Sequence, residues 1–100
     1  MVKHVVMWKL KEQAHGNSKE KNVIEIKKRL EALPAKIVVI RRLEVGVDFL
    51  KSDMSADVIV TVEFGSKTDL ESYRVHPDHQ SIIPFINEAV SERRVVDYEY

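Results

Sequence analysis

Three segments of this chain alternate like β-strands, and each carries apolar side chains on both faces. In Val2–Leu10, one face holds Val2, His4, Val6, Trp8 and Leu10, and the other has Val5 and Met7 at its centre. Ile37–Val47 opens with Ile37-Val38-Val39-Ile40, apolar whichever way it is turned. In Ala56–Phe64, Val58, Val60, Val62 and Phe64 point one way, while Asp57, Ile59, Thr61 and Glu63 point the other. A strand with one wet face would alternate more cleanly. These strands therefore ask for cover on two sides, and 100 residues leave little chain to provide it. That length suits one domain, residues 1–100.

Two helical regions can supply one layer. The first is expected after Asn17, which can cap it, with Glu20 three residues on. Val23, Ile26, Leu30 and Leu33 form its buried stripe, interleaved charges of both signs form its wet face, and Pro34 stops it. The second starts at the capping pair Ser66 and Asp69, with Leu70 and Tyr73 on one face. Pro77 breaks it, and Ile82, Ile83, Phe85, Ile86, Ala89 and Val90 continue an apolar pattern in which Pro84 should kink or restart the helix. Arg94–Tyr100 alternates as a fourth strand. The hairpin expected between the second and third strands marks an antiparallel sheet, with Gly46 placed for a bulge or a close approach.

The order is β-α-β-β-α-β, an α+β fold of the ferredoxin-like type: a four-stranded antiparallel sheet with helices on one face. The other face remains apolar and uncovered. A second copy of the chain would cover it, so a homodimer through the sheet faces is expected.

Composition closes off several functions. Lys plus Arg and Asp plus Glu number 16 each, and this balance argues against nucleic acid as a partner. No cysteine is present, which excludes disulfides, thiolate metal sites and thiol nucleophiles. The apolar runs are too short to cross a bilayer, and Met1-Val2-Lys3-His4 does not read as a signal peptide, so no membrane association and a cytoplasmic location are expected. Three glycines form no phosphate-binding loop, and no serine has a nucleophile-elbow context. His4, His76, His79 and Asp78 lack metal-ligand spacing, so neither a metal nor a cofactor is expected.

The chemistry concentrates in Tyr73-Arg74-Val75-His76-Pro77-Asp78-His79. Pro77 suits the first turn of a new helix, which makes His76 a cap at the junction and puts His79 in the first turn. His79 can act as a general base with Tyr73 as its partner or acid, provided the chain turns at the proline. The competing reading makes His79 a backbone-bonding residue and Tyr73 a core residue. His4 and Val6 share a strand face with Trp8, which reads as core or cavity wall.

These segments resemble the stress-responsive α/β barrel family, whose members are dimeric α+β barrels. The resemblance runs from Lys3-His4-Val5-Val6-Met7-Trp8-Lys9-Leu10 through Leu43-Glu44-Val45-Gly46-Val47, Asp57–Phe64 and His76-Pro77-Asp78-His79 to Arg94-Val95-Val96-Asp97-Tyr98. It implies an apolar ligand pocket in each subunit. In the family's plant polyketide cyclases a histidine and a tyrosine form an acid–base pair, corresponding here to His79 and Tyr73, and the first-strand histidine corresponds to His4. Trp8, His76, Val6 and Ile26 are then expected to contact ligand. A further cyclase histidine has no counterpart, because Ala56, Asp57 and Val58 occupy its region. The expected function is acid–base catalysis on a small carbonyl or polyketide-like compound, of cyclase or isomerase type. The alternatives are a non-enzymatic stress-responsive or ligand-binding dimer and a cofactor-independent relative of the monooxygenases that share the fold.

Overall fold

A computed structural model describes all residues from Met1 to Tyr100. β1 (Val2–Leu10) leads through a small hairpin, β2 (Gln13–Ala14) and β3 (Asn17–Ser18), into helix α1 (Lys19–Glu31). β4 (Arg42–Val47) and β5 (Val58–Phe64) follow, then helices α2 (Lys67–Val75) and α3 (Pro77–Ala89), and finally β6 (Val90–Glu99). The main sheet has four strands in the order β4-β5-β1-β6, and every neighbouring pair is antiparallel. This is the ferredoxin-like topology, with the helices on one face. No helix is long and apolar enough to cross a membrane.

Alternation decides which side chains enter the core. Val2, Val6, Trp8 and Leu10 of β1 and Val58, Val60, Val62 and Phe64 of β5 are buried beneath the helices. Ile26 and Leu30 of α1, with Leu33 just beyond it, and Ile82 and Ile86 of α3 close over them. The sheet's other face is open. Met7, Ile59, Val96 and Tyr98 on it are 39%, 36%, 56% and 43% exposed. Gly46 lies on this face opposite Ile59, and a Cβ there would stand 2.9 Å from Ile59 Cγ2, so the close approach expected at this glycine is real.

Four local expectations need correction. The cap of α1 is Ser18, whose hydroxyl accepts from the Lys21 amide, while Asn17 belongs to β3. Ile37–Ile40 is not strand: Val38 is 95% exposed, and the Ile40 amide donates back to the Ile37 carbonyl. The run has the right side chains but no partner. Pairing with β5 begins only where the Arg41 amide meets the Glu63 carbonyl, because β5 itself ends at Phe64. Pro84 does not restart α3, which runs on through it over Pro77–Ala89. Pro84 and Gln80, whose carbonyl loses its helical donor, are both exposed, so water can serve that carbonyl. Last, β6 starts at Val90, directly from the helix end, rather than at Arg94.

Candidate functional site

The α2–α3 junction is built by its proline. His76 ends α2 with extended backbone (φ −63°, ψ 135°), as a residue before proline must, and Pro77 opens α3. The His76 ring caps the new helix, its Nδ1 accepting from the Asp78 amide at 3.1 Å. The turn then carries His79 back against α2. The His79 and Tyr73 rings lie 4.3 Å apart between centroids, tilted by 38°. Tyr73 also touches Phe64 of β5 at 5.2 Å and meets the His4 ring edge-on at 6.0 Å. Residues from three separate stretches thus converge under the junction.

His4, Tyr73 and His79 line a cavity of about 450 Å³ between the helices and the sheet. Its walls are mostly apolar, with Val6 and Val95 from the sheet and Ile82, Ile83 and Ile86 from α3. His4, Tyr73, His79, Arg74 and Asp97 supply polar groups at one end, and Arg93 beside Trp8 supplies them further along. This volume falls within the usual range for small-molecule sites.

The ionisable groups are tuned by burial. Desolvation holds the His79 imidazole below its ordinary pKa, with nearby His4 acting in the same direction and the bond to the Arg74 carbonyl opposing it. That bond, 3.1 Å from His79 Nδ1, can only be donated by a protonated Nδ1, so in the neutral ring Nε2 keeps its lone pair. Tyr73 is 1% exposed, and burial alone pushes its phenol well above the ordinary range, leaving a protonated donor with no hydrogen-bond contribution from a partner. His4 Nδ1 is bonded to the Asp97 carboxylate, which orients the ring and places the Nδ1 proton when the imidazole is neutral. No three His, Asp or Glu side chains are arranged to hold a metal ion.

The model of the stress-responsive A/B barrel domain, Dabb, matches residues 2–100. The chain belongs to this family. Among solved structures, this Dabb domain is similar to a dimeric protein of unknown function with a ferredoxin-like fold from Bacteroides fragilis, at 34% identity and a TM-score of 0.87, covering 99% of this chain and 95% of that one. An Arabidopsis thaliana protein matches at 25% identity and a TM-score of 0.82, covering 100% of this chain and 95% of that one. A hydroxynitrile lyase from Passiflora edulis matches at 17% identity and a TM-score of 0.82, covering 97% of this chain and 90% of that one, and shares the fold alone. Among curated proteins none matches.

Of the residues singled out in the sequence, His4, Val6, Trp8, Tyr73 and His79 line the Dabb cavity. His76 and Ile26 do not. His76 is occupied at the helix cap, and Ile26, fully buried, is packed into the core under α1. Three polar residues of the wall escaped sequence reading: Arg74, Arg93 and Asp97. The signal for Asp97 was its alternation with Val95 on β6. Only the β1–β6 register, which pairs His4 with Asp97 and Trp8 with Arg93, shows that it meets a histidine.

Proposed function

We propose that this protein binds a small, partly apolar carbonyl compound in the cavity and performs acid–base chemistry on it. The observation that carries this reading is the convergence of a neutral imidazole with a free Nε2 and a protonated phenol on one apolar cavity. His79 Nε2 takes a proton from the carbon beside the carbonyl. The bonding pair becomes an enolate, whose oxygen accepts a hydrogen bond from the Tyr73 hydroxyl. Return of the proton to another carbon isomerises the compound, and attack of the enolate carbon on a second carbonyl closes a ring. His4, oriented by Asp97, is the second polar contact at that end.

The open sheet face bears on assembly. Its exposed Met7, Ile59, Val96 and Tyr98 are an apolar surface of the kind a second copy covers, and the similar Bacteroides fragilis protein is dimeric. We infer that two copies pair through these faces, one pocket per subunit. The family likeness leaves room for a dimer that binds ligand without turnover, because His79's bond to the Arg74 carbonyl also ties α3 to the end of α2.

Exchange of α-protons for deuterium separates the two. Acetophenone and 2-decanone, incubated with the protein in heavy water, are followed by proton NMR. The catalytic reading expects exchange above the buffer rate, reduced by about 10²-fold or more in His79→Ala. Exchange at the buffer rate for both ketones, or undiminished in the variant, contradicts it.

A further inference from the structure

Trp8 is 5% exposed, lines the cavity, and has an indole Nε1–H with no hydrogen-bond partner. Buried polar groups are seldom left so, because an unmade bond forfeits the water the donor gave up. Directly across from it on β6 stands Arg93, also on the cavity wall. Its guanidinium donates to Asn87 Oδ1 at 2.6 Å, a neutral acceptor, and no carboxylate pairs with it. Arg74, the other arginine of the wall, is different: it already pairs with Glu71 at 3.0 Å. At this end of the cavity wall, a residue with an orphaned, buried N–H and an arginine with no carboxylate partner occupy paired positions on β1 and β6.

This end lies apart from the imidazoles. His4 and Trp8 are on the same face of β1, and four residues of strand separate their Cα atoms by about 13 Å. Between them the wall is aliphatic: Val6 and Val95 on the sheet, Ile82 and Ile86 on α3. We propose that the ligand is an elongated molecule with an apolar middle and a carboxylate head, the head accepting from Trp8 Nε1–H and from the Arg93 guanidinium. A guanidinium fork matches a carboxylate in shape as well as in charge. The proposal rests on the acid–base reading only for the far end of the same ligand, where the carbonyl lies among Tyr73, His79 and His4. The class of compound is thus a medium-chain oxo-carboxylate.

The test uses 9-oxodecanoate, its methyl ester and 2-decanone, titrated by calorimetry into wild type, Arg93→Gln and Trp8→Phe. Trp8 is the chain's one tryptophan, so its fluorescence reports the same event in wild type and Arg93→Gln. The acid should bind wild type about tenfold or more tightly than the ester. Arg93→Gln should bring the acid to the ester's level. Trp8→Phe should weaken acid and ester about fivefold more than it weakens 2-decanone, since all three touch the ring but only the head groups use the indole N–H. Equal binding of acid and ester by wild type, an acid preference that survives Arg93→Gln, or no binding of any of the three compounds overturns the proposal. Arg93 is exposed, so its variant keeps the test valid if Trp8→Phe fails to fold. Exchange of 2-decanone protons needs no head group, so the catalytic reading and this one can fail separately.

Discussion

Tyr73→Phe separates the two roles a buried tyrosine can have. The ring is 1% exposed and packs against Phe64, His79 and His4. Deleting it with Tyr73→Ala removes a full aromatic contact surface and should cost about 3–5 kcal/mol of stability. Tyr73→Phe keeps that surface and removes only the oxygen. The hydroxyl makes no hydrogen bond within the protein and is not among the buried unpartnered atoms, so it opens onto the cavity. Losing it should then change stability by less than about 1 kcal/mol, since no hydrogen bond within the protein is lost with it. The hydroxyl's role as donor to an enolate predicts a different outcome for turnover: α-proton exchange should fall by about 10²-fold. Urea denaturation of wild type and both variants gives the first quantity, and NMR exchange gives the second. A loss of more than about 2 kcal/mol in Tyr73→Phe, or an unchanged exchange rate, would refute the reasoning.

Other consequences follow from single contacts. Unfolded His79 titrates near 6.5, whereas the folded ring resists the proton because it is desolvated. The unfolded chain therefore binds more protons between the depressed folded value and 6.5. This group's contribution is full above 6.5 and is lost as pH falls through that interval, with a slope of at most about 1.4 kcal/mol per pH unit. His79→Gln should show a flatter stability profile in urea melts below pH 6.5, and an unchanged profile would remove His79 as the source. Ile59→Lys places an unpaired charge at the middle of the open sheet face and should weaken dimerisation by at least about 100-fold in sedimentation, whereas an unaltered dimer would move the interface elsewhere. Gly46→Ala would bring a Cβ to 2.9 Å from Ile59 Cγ2 and should cost about 1–3 kcal/mol in thermal or urea melts, with no loss if Ile59 simply turns aside.

The strands that read cleanly in the sequence are those whose period-2 pattern coincides with real partners on both sides. β1 and β5 are the sheet's central strands, and their buried residues are the ones alternation selects. Ile37–Ile40 misled because β-branched composition reports what fits a pleated surface, while pairing depends on where β5 ends. Pro84 did not restart the helix because a proline's cost depends on whether the orphaned carbonyl can reach water, and here both Pro84 and Gln80 are exposed. The Tyr73–His79 contact was legible because it is local, set by one proline and the helices on either side. The partners of His4 and Trp8 were not. Asp97 and Arg93 lie about ninety residues away in sequence, and only the β1–β6 register brings them opposite.

The state of His79 is the most direct test of the account. Nitrogen-15 NMR of the ring, labelled in histidine and followed through a pH titration, reports both tautomer and protonation. The prediction is an imidazole that stays neutral below the ordinary range, with its proton on Nδ1 facing the Arg74 carbonyl and an Nε2 resonance that moves when 2-decanone is added. An imidazole that titrates at or above 6.5, or one whose proton sits on Nε2 and whose signal ignores the ketone, would contradict it.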